Sequence, residues 1–255
     1  MPYDLKGRNV LVTGGSATSG LGELISIFFA KEGANIAINY FNRIEPAEKV
    51  AKACQDEGVK AVVIKADMTS TAEAKRAVQD TVAQLGGIDI VISNAGWTRF
   101  SDWKDLDSMS EEEWDRCWSA NVKVPKALLT EAKKTFDDNP DGGQMITTGS
   151  IAAVMQGGSS MPYSVTKAAQ LHLVKCLAVT VGPKIRVNTV LPGLLLTEWG
   201  RKYSEERIQQ AKNASVLKHE TFLDDCANAF IYIAKNTSMT GMKIQVDAGA
   251  AVQGS

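Results

Sequence analysis

Apolar residues fall along this chain in seven short runs, at 9–13, 35–40, 60–65, 89–93, 144–148, 185–190 and 243–246. Most are rich in valine and isoleucine and stop at glycine, proline or polar residues, the pattern of strands buried on both faces. Longer stretches with helical spacing lie between them. Residues 24–29 end at Glu32-Gly33, a helix stop. Residues 46–57 open with a proline, tolerated in a first turn because its missing N–H has no partner there. Ser70 with Glu73, and Ser110 with Glu113, are capping boxes for helices that run to Leu85 and toward Phe136. Residues 163–181 predict the next helix, and Thr221 with Asp224 caps another that ends at Ala234. Short connections alternate strand with helix, apart from a mixed, partly charged insertion at 194–222. This order predicts an α/β fold: a doubly wound, seven-stranded parallel sheet with helices on both faces and ligand sites at the carboxyl ends of the strands. No linker, repeat or low-complexity tract divides residues 1–255, which read as a single domain.

Two helices carry features that plain packing does not require. Pro125 interrupts the stretch 110–136, so the carbonyl of Asn121, four residues earlier, loses its helical donor. A carbonyl freed beside a cleft can hold a water; the alternative is that Pro125 only bends the helix around the core. In 163–181, Val165, Ala168, Ala169, Leu171, Leu173, Val174, Leu177 and Ala178 cover more than one face. Such a helix is buried on both sides, at a subunit interface or deep in the core. His172 within it reads as structural.

Composition narrows the class. With 255 residues, 44% hydrophobic and 22% charged, the chain is an ordinary globular one with a large core. A net charge of −1 gives no basis for nucleic-acid or acidic-membrane partners. Cys54, Cys117, Cys176 and Cys226 follow no metal-ligand spacing and read as free thiols in a reducing compartment. The N-terminus lacks the apolar core of a signal peptide, and no run approaches the roughly 20 residues that span a bilayer. The expectation is a soluble, cytoplasmic protein without a metal.

The chemistry gathers at strand ends. After the first strand comes T-G-G-S-A-T-S-G-L-G, residues 13–22, then a helix. Strand, glycine-rich turn and helix make a phosphate cradle, because backbone N–H groups and the helix dipole favour negative charge. At the end of the second strand the run is Asn39, Tyr40, Phe41, Asn42 and Arg43, with no carboxylate before Glu45. An acidic residue there would hold a ribose 2′-hydroxyl, whereas a basic one accommodates a 2′-phosphate. Arg43 therefore favours NADP(H) over NAD(H). The alternative is a solvated Arg43, with Ser16, Thr18 and Asn42 left to hold the phosphate. The fifth strand delivers Ser150, and Tyr163 and Lys167 follow at i and i+4 on one helix face. An ammonium beside a phenol favours the phenolate and pulls its pKa down from about 10. Such a phenol can donate a proton to a carbonyl oxygen or accept one from an alcohol, and the serine hydroxyl can hold the same oxygen.

Taken in order, these motifs resemble a single-domain short-chain dehydrogenase/reductase over almost the whole chain, which implies a Rossmann fold. The family's cofactor loop matches Thr13, Gly14, Gly20 and Gly22, with Ser16 and Leu21 inside it, and its Asn-Ala-Gly matches Asn94, Ala95 and Gly96. Its helix asparagine matches Asn121, its serine Ser150, and its Tyr-x-x-x-Lys Tyr163 and Lys167; Pro192, Gly193 and Thr197 match the segment after the sixth strand. The resemblance implies a carbonyl reductase or alcohol dehydrogenase that moves a hydride between nicotinamide and a carbonyl carbon. Tyr163 would be the acid or base, Lys167 would hold the nicotinamide ribose and tune Tyr163, and Ser150 would polarise the carbonyl. Asn121 would hold a water linking Lys167 to solvent. Thr197 and the backbone near Leu195 would bind the carboxamide, with adenine near Asp67 and Met68. A homo-oligomer, dimer or tetramer, is expected.

The departures lie in the glycine loop. Five residues separate Gly14 from Gly20, two more than the family's usual spacing, and Ser19 stands where some NADP-preferring members carry a basic residue. Candidate substrate walls are Trp97, Met155, Met161, Trp199 and Tyr203, which suit a small apolar or aromatic carbonyl or alcohol bound by contact. Arg99 and Arg201 could add a charge. The competing reading is a member of the same fold that binds NADP(H) for a non-redox or regulatory role.

Overall fold

The computed structural model describes residues 3–16 and 19–252. Its seven strands are β1 (Asn9–Val12), β2 (Asn35–Tyr40), β3 (Ala61–Lys65), β4 (Ile90–Ser93), β5 (Gly143–Thr148), β6 (Ile185–Pro192) and β7 (Lys243–Val246). They form one parallel sheet in the order β3-β2-β1-β4-β5-β6-β7. The order reverses between β1 and β4, so their carboxyl ends diverge and open a crevice, the switch point where such sheets bind ligands.

Strand alternation sorts the core. Val10, Val12, Ile36, Ile38, Ile90 and Ile92 face one side, packed by α1 (Leu21–Lys31), α2 (Ile44–Asp56) and α8 (Leu223–Lys235). Leu11, Ala37, Val91, Met145 and Val187 face the other, packed by α3 (Thr71–Leu85), α5 (Val124–Phe136) and α6 (Met161–Val181). The sheet is buried on both faces, as the unbroken apolar runs require.

Local differences from the sequence reading have physical causes. Ser110 and Glu113 form a complete capping box on α4 (Glu111–Trp118). Ser70 caps α3, but Glu73 reaches past it to accept from the Asp67 N–H at 2.8 Å. Thr221 does not cap α8, whose N-cap is Phe222 without a side-chain bond; the Thr221 hydroxyl is buried beside Gly193 instead. Ser160 accepts from the Tyr163 N–H, so α6 starts two residues earlier than its motif. The insertion 194–222 contains α7 (Glu205–Ala214), capped by Ser204. Between α4 and α5 the chain runs through a π turn, Ser119–Lys123, with Pro125 just inside α5. The helix is thus widened rather than broken by Pro125. On α6 a stripe that includes Val165, His172, Cys176 and Val179 is exposed, so only part of the helix is buried within one chain.

Candidate active site

The glycine loop meets the sheet between β1 and β4. Gly14 has φ +62°, and a Cβ there would press on Ala95 at 3.1 Å. A Cβ on Gly22 would lie 2.5 Å from the Gly14 carbonyl, so α1 can approach the loop this closely only without a side chain. Asn94 and Ala95 donate their N–H groups to the Thr13 hydroxyl, both at 3.0 Å, and the Asn94 amide donates to the Thr13 carbonyl. Thr148 donates to Asn94 Oδ1 at 3.0 Å, which ties β5 to the same corner. Gly20 and Leu21 are buried at the start of α1, and Gly20 supplies no side-chain cap, so the first-turn N–H groups face the loop as an anion site needs. Ser16 is half-buried in the loop; Thr18 lies outside the described residues.

Asn39 corrects the sequence reading. Its Oδ1 accepts from the Gly14 N–H at 3.1 Å, and its Nδ2 donates to the carbonyls of Tyr40, Ile64 and Ala66. At 2% exposure with its amide engaged by protein, Asn39 holds the loop rather than a ligand. Of the residues expected at the adenosine end, Asn42 and Arg43 are exposed, and Asp67 and buried Met68 lie just past β3. Arg43 Nη2 pairs with Glu198 Oε2 at 3.2 Å, which joins this end to the segment after β6. Asp67 Oδ1 accepts from the N–H and hydroxyl of Thr69, at 2.8 and 2.9 Å.

At the other end of the crevice α6 carries Tyr163 and Lys167 beneath Ser150, which follows β5. Ser150 and Tyr163 line one cavity. Lys167 is 3% exposed; its Nζ donates to the Thr148 carbonyl at 2.6 Å and lies 5.6 Å from the Tyr163 ring centroid. Burial pushes the Lys167 ammonium down to about 8. Burial also pushes the Tyr163 phenol up to about 12, with the Ser150 hydroxyl pulling the other way. The expected lowering of Tyr163 by Lys167 is therefore not found: burial is the largest influence on both groups, and Lys167 is not among the groups that shift Tyr163.

Asn121 lies in the π turn with its side chain fully occupied. Its Nδ2 donates to the Trp97 carbonyl, Cys117 Sγ and Thr166 Oγ1, and its Oδ1 accepts from the Trp97 N–H at 3.1 Å. A Cβ on Gly96 would come within 2.8 Å of that Oδ1 and 3.8 Å of Lys167 Nζ. The Asn121 carbonyl is not orphaned. Gln170 Nε2, one turn beyond Lys167, donates to it at 2.8 Å inside the core. The expected water at this carbonyl thus gives way to a protein donor, which no spacing in the chain had marked.

Beyond Ser150 and Tyr163 opens a cavity of about 350 Å³. Pro192, Gly193, Leu195 and Thr197 line its inner part, and Met155, Trp199 and Tyr203 its walls. Trp97 and Met161 are not among the lining residues; Trp97 carries Arg116 over its ring at 4.8 Å. Phe100, unmarked by the sequence, stacks on Trp199 at 4.9 Å and meets the Tyr203 ring edge-on at 4.6 Å. Neither Arg99 nor Arg201 lines the cavity, and Arg99 is taken by Glu113 at 2.8 Å. The arginine that does is Arg207, on α7. No S-x-x-E signature announces that helix, so its first turn was hidden in the charged insertion.

A phosphate cradle at the switch point, joined by one crevice to a serine, a phenol and a buried ammonium, defines an oxidoreductase that uses a dinucleotide. Gly14, Gly20 and Gly22 leave the backbone room, and the uncapped α1 start leaves the donors, that a nicotinamide dinucleotide needs. The family profile described as enoyl-(acyl carrier protein) reductase matches residues 14–251. A granaticin polyketide synthase putative ketoacyl reductase of Streptomyces violaceoruber is 32% identical over 242 residues, 94% of each chain. A short chain dehydrogenase/reductase of Aspergillus novofumigatus is 35% identical over 98% of each. Among solved structures, a short chain dehydrogenase from Burkholderia cenocepacia in complex with NADP superposes with a TM-score of 0.89 at 28% identity, covering 97% of this chain and 99% of that one. The chain belongs to the short-chain dehydrogenase/reductase family.

Proposed function

We propose that this protein is an NADP(H)-dependent ketoreductase that converts an apolar or aromatic ketone to its alcohol, or runs the reverse. The observation that carries the reading is that Ser150 and Tyr163 line the same cavity, with Lys167 buried one helical turn from Tyr163, so that one carbonyl oxygen can meet both hydroxyls. When bound, the nicotinamide supplies or accepts the hydride. Tyr163 gives its proton to the oxygen in reduction and takes it back in oxidation, while Ser150 orients that oxygen. Lys167 stabilises the phenolate left on Tyr163. Asn121 positions the Trp97 backbone and Thr166 around this corner. Gly14, Ser16, Thr18, Gly20, Leu21 and Gly22 would cradle the pyrophosphate, and Gly193, Leu195 and Thr197 the carboxamide. Residues 194–222 would be the substrate loop.

NADP(H) is favoured by Arg43 at the end of β2, with no carboxylate before Glu45. The NADP-bound Burkholderia structure is a consistent precedent. The exposed stripe of α6, with Val165 and Val179, supports a homo-oligomer, to be sized by light scattering. No described helix is long and apolar enough to cross a membrane, which accords with a cytoplasmic enzyme.

The test is NADPH oxidation against a panel of aryl and alkyl ketones and an enoyl thioester, with Tyr163→Phe as control. The variant should bind NADPH as the wild type does and lose about 10²–10⁴ in turnover. Full turnover in the variant would refute the assignment of Tyr163. Reduction of the thioester alone would move the activity from carbonyls to double bonds. NADPH binding without turnover of any compound would favour the non-redox reading.

A further inference from the structure

The cavity walls are apolar or neutral with one exception. Ile151, Met155, Leu194, Leu195, Trp199 and Tyr203 supply the apolar surface, and Arg207 is the single charged residue that lines it. Its guanidinium lies 5.2 Å from the Tyr203 ring centroid, so one face is already shielded from water. Its one hydrogen bond, from Nη2 to the Gly158 carbonyl, is 3.5 Å long, and that carbonyl already accepts from Trp103 Nε1 at 3.2 Å. Among the described residues Arg207 forms no ion pair, whereas Arg8, Arg43 and Arg99 each have a carboxylate partner. Arg207 is exposed at the rim of the cavity, so most of its five N–H donors face water and stay available to an anion.

The position relates this cation to the reacting end. A Cβ built on Gly158 would stand 3.5 Å from the Tyr163 ring, so the carbonyl that Arg207 touches belongs to the residue packed on Tyr163. Arg207 thus spans the cleft from α7 to the wall beside the proton donor. It sits in the first turn of α7, next in sequence to Glu205 and Glu206, so the guanidinium itself and not the helix start supplies the attraction for a negative group.

Resting on the ketoreductase reading above, we propose that the substrate is a ketone bearing a carboxylate, with Arg207 as the residue that selects it. The carboxylate takes a bidentate bond from the guanidinium in place of the long contact to Gly158, while the apolar body packs on Trp199, Tyr203 and Met155. An amide or ester in the same place would leave the arginine without a counter-charge.

The test uses 4-acetylbenzoate and its methyl ester, which share the ketone and ring and differ in charge. Wild-type kcat/KM should favour the carboxylate by at least about tenfold, a difference of about 1.4 kcal/mol. The preference should reside mainly in KM and shrink as salt is added. In Arg207→Ala the carboxylate-to-ester ratio should fall toward one, and Arg207→Lys should restore part of it, because a point charge keeps attraction but loses the fork. A wild-type ratio near one, or a ratio that survives Arg207→Ala, overturns the proposal while leaving the ketoreductase reading intact. Should neither compound be reduced, calorimetric binding of the same pair to the NADPH-loaded wild type and Arg207→Ala decides it. Equal affinity for the two compounds then counts against Arg207. Loss of all ketone turnover across the wider panel counts against the reductase reading alone.

Discussion

Lys167 holds a charge where water does not reach it, with one carbonyl, Thr148, as its anchor. Below about pH 8 the folded protein carries that buried charge at a cost. Between about 8 and the ordinary lysine value of 10.5 the unfolded chain holds a proton that the folded one has released, so Lys167 makes stability rise with pH across that window. Tyr163 acts in the opposite sense at higher pH. Its folded-state value, raised to about 12, contributes stability that is lost as pH rises through it. Urea unfolding of the protein without nucleotide should show the gain between pH 7.5 and 9.5, a range taken on either side of the value near 8. Lys167→Met should lack that gain, and an identical slope in both proteins would rule it out. Gln170 offers a second test. Gln170→Leu keeps the volume but removes the donor from the Asn121 carbonyl, which should cost about 1–3 kcal/mol in urea unfolding. Gln170 was unreadable in the sequence because it is simply one polar residue on a long helix. Only the crossing of α6 with the π turn makes it a partner for Asn121, whereas Ser150, Tyr163 and Lys167 announce themselves by spacing.

At the scale of the element, the glycine loop and the start of α2 carry the cofactor predictions. Gly22→Ala would place its methyl group 2.5 Å from a backbone oxygen, so the loop must shift. NADPH affinity, read by fluorescence titration, should weaken by about tenfold or more, about 1.4 kcal/mol. The Arg43–Glu198 pair is exposed at 56% on both sides and worth about 0–1 kcal/mol to stability. Arg43→Ala should therefore leave the unfolding midpoint almost unchanged, raise the NADPH dissociation constant and spare that of NADH. Glu198→Gln should tighten NADPH, since the guanidinium no longer has a competing carboxylate. An Arg43→Ala protein that kept its NADPH preference would shift the 2′-phosphate assignment to Ser16, Thr18 and Asn42. Elements with a strict local pattern were legible: the seven strands from their apolar runs, α4 from its complete box. Thr221 misled because the same three-residue spacing occurs whether or not the hydroxyl reaches the helix start, and contact with Gly193 turned it inward. α7 was concealed because Ser204 caps it with Arg207, not a glutamate, at the third position.

Across the whole molecule, strand order explains why residues so far apart in sequence share one crevice. Every strand ends on the same edge, and β1 lies between β2 and β4, so the loop at 13–22 stands beside Asn94 and, through Thr148, beside the α6 machinery. A ligand along that edge binds both halves of the sheet. NADPH at a hundred times its dissociation constant should stabilise the entire protein by about 2.7 kcal/mol and raise its thermal midpoint in one transition. NADH should do less at equal concentration. Two separate transitions, one unmoved by NADPH, would contradict this shared dependence. The alternation of strand and helix made this layout predictable from the chain; the contents of the cleft were less so, because Arg207, and Phe100 packed behind Trp199 and Tyr203, come from insertion and loop, where periodicity carries no information.

Asn39 has a practical consequence for anyone who wishes to retarget the coenzyme. Position 39, next to the end of the second strand, invites replacement by an acidic residue, yet its amide splices the turn at Gly14 to the backbone of three neighbours. Exchange there would trade away the scaffold together with the preference. Engineering should leave that keystone in place and vary residues 41–43, where side chains reach outward and the framework has nothing to lose.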